Sequence, residues 1–300
     1  MITLAELARL ASAYAEDLDQ PVAPFTVAGR SYDTDREPVL MGVVNLSRDS
    51  TYRESIAVSP ETAVRKARIQ AAQGAHFIDI GAESSRATAT AVTAEDQVRS
   101  VVPVIEQLAA DSIATSIEGY DPTVVRAGLK AGASVVNLTG SHVDEEMFEL
   151  AAEYDAGLVL CHVLGPHARA LDGSDVEADP VPRMLDTFGE RIARARELGA
   201  TSIAVDPGLG FGFRLADQRS RAQYQAASLL NTFRLRRLGV PVCHAMPHAF
   251  DVFEDQFRSG EGFFTVLAHL GRTGIYRVHE VPRVRAVLDA LAEFTVDGEK

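Results

Sequence analysis

From residue 39 onward the chain alternates two hydrophobic patterns. Short runs of β-branched and other apolar residues, five to seven long, are each followed by a longer stretch whose apolar positions recur every three to four residues. The first pattern predicts buried strands and the second amphipathic helices. The strands fall at VLMGVVN (39–45), HFIDI (76–80), SIATSI (112–117), SVVNL (134–138), GLVLCH (157–162), SIAVD (202–206), VPVCHA (240–245) and IYRVH (275–279). The helical stretches between and after them fall at 60–73, 94–110, 122–131, 144–154, 182–198, 217–238, 262–271 and 281–293. Three helices end in Gly-Ala: Gly74-Ala75, Gly132-Ala133 and Gly199-Ala200. Glycine just past a helix end supplies the left-handed cap.

Eight evenly spaced strand–helix units with short connections predict a (β/α)8 TIM barrel; a doubly wound open sheet is the rival. Upstream, Leu4, Leu7 and Leu10 recur at helical spacing, and FTVAGRSYD reads as a small β-hairpin turning at Ala28-Gly29. The expected organisation is therefore an N-terminal helical extension over 1–24 and a single barrel domain over 25–300. The irregular stretch at 164–180 reads as a rim loop.

Composition narrows the partners. The chain has 300 residues, 46% of them hydrophobic, enough for a sizeable core. With 29 basic against 42 acidic residues the net charge is −13, which argues against nucleic acid as a main partner. The two cysteines, Cys161 and Cys243, lie in apolar stretches and imply packing rather than a disulfide framework. The N-terminus lacks a basic segment leading into an apolar core, and no apolar run reaches the ~18 residues of a membrane span. A cytoplasmic protein without membrane association is the expectation.

In such barrels chemistry sits at the carboxyl ends of the strands. Those ends carry Asn45, the DIGAESSR segment, Glu118, Asn137, His162, Asp206, the HAMPHAF segment, and Arg277 with His279. A lone polar residue there is commonly a turn former or a helix cap. Eight converging together predict a polar pocket. The glycines of DPGLGFGF (206–213) suit a phosphate cradle, a tight turn or no special role. His162 reads as a satisfied barrel histidine. His244, His248 and His279 offer metal-type donors, but their spacing matches no standard zinc motif. The arginines at 219, 221, 234, 236 and 237 read as a solvated or dimer-facing surface.

The motifs VLMGVVNLSRDS, FIDIGAESSR, AGLKAGASVVNL, LVLCHVLG, DPGLGFGF and YRVHEV resemble, in order and spacing, those of the dihydropteroate synthase family, from about residue 25 to 292. The resemblance implies a (β/α)8 barrel, a homodimer, and a transferase of folate biosynthesis. Such an enzyme joins 6-hydroxymethyl-dihydropterin pyrophosphate to the amine of p-aminobenzoate and releases pyrophosphate with Mg2+. Residue by residue, it puts Asp206 on the pterin's amino-pyrimidine edge with Asn137 beside it, and Glu118 where the family has aspartate. It puts Phe211 in the wall, Asn45 at the metal, Arg277 and His279 on the pyrophosphate, and Ser85 and Arg86 near the aryl amine.

The departures cluster. The family's Ser-Arg-Lys after strand seven is replaced by MPHAF, where His248 is nearest to the pterin-contacting lysine. The lysine of GFGK is Phe213, and loop one lacks the Asp-Gly-Gly end, though Arg48 and Arg53 return positive charge there. Imidazole titrates near ~6.5, so lysine to histidine removes a permanent charge. A lost charge-assisted hydrogen bond costs on the order of 1.5–3 kcal/mol. The alternative reading is a divergent paralogue that binds a pterin-like heterocycle with another acceptor, methyltransferase-type chemistry or no catalysis.

Overall fold

The structure is a computed structural model. It describes residues 2–47, 55–57, 59–84, 89–171, 177–210, 215 and 217–295. Two short helices, α1 (Leu4–Ala13) and α2 (Ala15–Leu18), precede the antiparallel hairpin of β1 (Phe25–Val27) and β2 (Arg30–Tyr32). The repeat then runs β3 (Val39–Asn45), α3 (Pro60–Ala72), β4 (Phe77–Gly81), α4 (Ala94–Ala110), β5 (Thr115–Gly119), α5 (Pro122–Lys130), β6 (Val135–Leu138) and α6 (Asp144–Glu153). It continues with β7 (Gly157–Cys161), α7 (Val181–Glu197), β8 (Ile203–Asp206), α8 (Gln218–Asn231), a 3-10 turn (Thr232–Leu238) and β9 (Cys243–Ala245). It ends with α9 (Phe250–Phe253), α10 (Arg258–Leu270), β10 (Ile275–Val278) and α11 (Val281–Glu293).

The sheet order is β8-β7-β6-β5-β4-β3-β10-β9, all parallel. A parallel bridge between Val205 and Val242 joins its two ends. The (β/α)8 barrel expected from the periodicity is therefore the fold, and the open-sheet rival falls. The strands are buried on both faces, which is why they read as continuous apolar runs rather than alternating ones. Gly74, Gly132 and Gly199 close α3, α5 and α7 with φ of 105°, 114° and 100°.

Some boundaries shift for stated reasons. The segment expected at 112–117 is a strand only from Thr115, because Ser112 takes a left-handed φ of 59° to leave α4. The strand then runs on through Glu118 and Gly119, which pair with Asn137 and Leu138. The single helix expected at 217–238 breaks at Thr232 into a 3-10 turn.

That turn also corrects the reading of its arginines as a solvated or dimer-facing surface. Arg236 is buried and holds Asp35 through two bonds of 2.7 and 2.9 Å. Arg234 holds Asp179 at 2.8 and 2.9 Å and stacks 3.9 Å over the Tyr14 ring. Arg237 pairs with Asp17 and Glu16 of α2. These guanidiniums fasten the N-terminal segment and the hairpin onto the barrel. The apolar positions of α1, by contrast, are not buried, and Leu4 is 83% exposed. Among the described residues no helix is long and apolar enough to cross a membrane.

Candidate active site

The polar strand ends converge at the carboxyl mouth. The centre is Asp79, fully buried in the middle of β4. Its Oδ1 accepts from Ser116 Oγ at 2.5 Å on β5. Its Oδ2 accepts from Asn137 Nδ2 at 3.1 Å on β6 and from Arg277 Nε at 2.7 Å on β10. A buried carboxylate demands such partners, because an unpaired charge in the interior is prohibitively costly. Arg277 uses its other arm on Glu118, NH2 to Oε2 at 2.7 Å. Thus β4, β5, β6 and β10 are tied across the barrel by one guanidinium and two carboxylates.

Glu118 lies within β5 rather than after it, and its Oε2 accepts from Arg277 NH2. Burial pushes its pKa up to about 7, a rise that Arg277 limits and Asp79 reinforces. Burial works against the charge of Arg277 too, but Glu118 and Asp79 hold its pKa above the ordinary value.

Asp206 ends β8, and its Oδ1 accepts from Gly208 N at 2.7 Å. Gly208 has φ of 77°, a left-handed turn that glycine adopts without strain. The DPG start of the motif is therefore a tight turn that folds backbone N–H onto the carboxylate. Burial raises the Asp206 pKa to about 6, with the Gly208 bond and Arg277 pulling the other way. Asn137 completes this corner, its Oδ1 accepting from Cys161 Sγ at 3.4 Å. Burial, then the nearby Asp206 charge, push both cysteine thiols well up, in keeping with packing residues.

Asn45 closes β3, and its amide nitrogen donates to Ser55 Oγ at 2.7 Å. An amide oxygen is the hard donor that Mg2+ accepts, usually as one of few protein ligands beside phosphate and water. Ser85, Arg86, Phe211, Phe213, Arg48 and Arg53 lie outside the described residues.

Beyond the end of β10, His279 and His248 flank Glu261, a residue the sequence reading did not single out. Gly260 lets the His248 carbonyl lie against α10, where a Cβ would meet that oxygen at 2.4 Å. Glu261, in the first turn of α10, is fully buried. It accepts from the backbone N–H of His279 (2.9 Å) and Glu280 (2.8 Å), just ahead of α11. Its Oε1 lies 3.0 Å from His279 Nδ1 and 3.2 Å from His248 Nε2. Despite burial, the two histidines hold its pKa low, whereas burial lowers that of His279.

The third histidine of the expected trio is elsewhere. His244 is buried with Nε2 2.7 Å from Thr232 Oγ1, and burial takes its pKa down to about 3. His162 packs edge-on against Phe188, and burial, then Arg183 and Arg191, lower its pKa to about 4.

A parallel barrel whose mouth gathers a buried aspartate, an asparagine and an arginine held by carboxylates places the protein among (β/α)8-barrel enzymes, with its site at the carboxyl ends of the strands. The chain belongs to the pterin-binding enzyme family, which matches residues 41–246, and its relatives are dihydropteroate synthases. It is 31% identical over 94% of its length to a probable bifunctional folylpolyglutamate synthase/dihydropteroate synthase of Halobacterium salinarum, of which it spans 34%. It is 29% identical to the dihydropteroate synthase of Synechocystis, over 73% of this chain and 74% of that one. The solved dihydropteroate synthase of Xanthomonas albilineans with 4-aminobenzoic acid superposes with a TM-score of 0.74 at 30% identity, covering 91% of this chain and 98% of that one.

Proposed function

We propose that the chain condenses 6-hydroxymethyl-dihydropterin pyrophosphate with an aryl amine, p-aminobenzoate, releasing pyrophosphate. The observation that carries this reading is that Asp206 and Asn137 both lie beside Cys161 at the strand ends, while Asn137 and Arg277 share the carboxylate of Asp79. An ionised carboxylate accepts two N–H donors from an amino-pyrimidine edge, and an adjacent amide reads the rest of that edge. Arg277 then faces the opposite end of the heterocycle, where the leaving group departs. In the transition state the C–O bond to pyrophosphate breaks as the amine nitrogen bonds to the methylene carbon, and the nitrogen then gives up one proton to solvent or to the departing pyrophosphate. Negative charge grows on the leaving oxygens, and a preorganised guanidinium stabilises it. The carboxylates of Asp79 and Glu118 hold that guanidinium in place, so it reorganises little during the reaction.

Asn45 would hold Mg2+, which when bound neutralises pyrophosphate charge. Ser85 and Arg86 are assigned to the amine side, and Phe211 to the pterin wall, on their motif positions. His248 stands in for the missing lysine. The matched structure with bound 4-aminobenzoic acid supports the choice of acceptor. The same reading takes 1–24 as an extension clamped on a single barrel domain, 25–300, in a cytoplasmic homodimer.

The test is calorimetric titration with the pterin pyrophosphate. Asp206→Asn is expected to weaken binding ~10–100-fold, the scale of a lost charge-assisted pair. Equal affinity for the two proteins would remove Asp206 from the site.

A further inference from the structure

The cluster of His248, Glu261 and His279 contains more donor chemistry than pyrophosphate binding alone requires. Their ligand-type atoms all lie within 4.8 Å of one another, and none of the three side chains is more than 13% exposed. Two neighbouring separations, 3.0 and 3.2 Å, match the spacing of adjacent ligands around a tetrahedral ion, about 3.3 Å for bonds of ~2.0–2.1 Å. The carboxylate is oriented by backbone N–H groups of His279 and Glu280, the kind of outer support that metal ligands need. Two imidazoles and one carboxylate suit zinc-class cations and leave coordination positions open. The nitrogen donors set this site apart from the oxygen chemistry of Mg2+ at Asn45.

We propose that His248, Glu261 and His279 bind one first-row divalent cation of the zinc class, whose open positions take oxygens of the departing pyrophosphate. The second half of that statement rests on the function proposed above. The cation restores positive charge at the place where the family's lysine is missing. It also resolves a tautomer problem. A neutral His279 that donates from Nδ1 to Glu261 has an acceptor rather than a donor at Nε2, the wrong polarity for a phosphate oxygen. Metallated at Nδ1, the same ring carries N–H at Nε2 and donates.

The probe is Co2+, added to metal-stripped full-length protein, with stoichiometry from equilibrium dialysis and ligand-field bands in the visible spectrum. The expected result is one Co2+ per chain, displaced by Zn2+. Affinity should fall by more than the ~10–100-fold of an outer-shell loss in both H248A and E261Q. H142A, which alters an exposed rim histidine, should bind as the parent does. H248A removes a ligand while leaving the buried carboxylate its backbone donors, so it decides the matter if E261Q does not fold. Absence of stoichiometric binding, or binding indifferent to H248A, overturns the site and leaves Glu261 as a hydrogen-bonding anchor for two imidazoles. Inorganic pyrophosphate should then shift the Co2+ bands. Bands that ignore pyrophosphate would overturn the placement at the leaving group, even with the cation bound and whether or not the chain turns over.

Discussion

Asp206 shows how one carboxyl links burial to recognition. Its pKa, raised by burial to about 6, means that the substrate-free side chain is protonated in mildly acidic solution. Only the anion accepts both N–H donors of an amino-pyrimidine edge. Binding must therefore expel a proton below about pH 6 and none well above it. Pterin affinity is expected to rise as pH increases through that value and then level off; Asp206→Asn should flatten the profile between pH 5 and 8. A wild-type affinity independent of pH across that window would refute this linkage. At this scale the motif residues Asp206, Asn137 and Arg277 were legible in sequence, because each sits at a strand end. Asp79 was not singled out, since one acid inside an apolar strand gives no local sign of its partner. The sign that was present is the cost itself: a charge between Ile78 and Ile80 must be paired. Glu261 gave still less, because RSGEGFF reads as the polar start of a helix and its histidine partners lie 13 and 18 positions away.

Among the elements, the turn at Thr232–Leu238 differs most from its sequence pattern. Five arginines from 219 to 237 look like a solvated face, yet three of them reach acids far away in the chain: Asp17, Asp35 and Asp179. Charge composition shows that such pairs can form, but not which ones do. Arg236→Ala removes the two bonds to Asp35, a carboxylate that remains partly in contact with water. Breaking a fully buried pair costs more, so screening reduces the expected loss to about 1–2 kcal/mol. The melting temperature should drop by a few degrees, with substrate affinity unchanged because the turn lies away from the mouth residues. An unaltered melting temperature would show that the hairpin is held by apolar packing alone. The strands themselves were well marked by sequence, since a strand buried on both faces leaves an unbroken apolar run.

At the scale of the whole molecule, a net charge of −13 surrounds a mouth that must receive an anionic substrate. One cationic group at the mouth, Arg277, is already paired with Asp79 and Glu118, so on the proposed function the pyrophosphate is received with part of its charge neutralised by a bound divalent cation. Periodicity alone disclosed the barrel, and the order of motifs disclosed the family. The replacement of the lysine motif was visible as well, but the approach of His248 to Glu261 was not, because Glu261 sits on α10, outside the motifs that carry the resemblance. The decisive measurement is turnover by the purified chain with 6-hydroxymethyl-dihydropterin pyrophosphate, p-aminobenzoate and divalent cation, followed as pyrophosphate released and dihydropteroate formed. The account predicts one pyrophosphate per dihydropteroate, with both lost together in Asp206→Asn. Tight binding of both substrates to the folded chain without any product would contradict it.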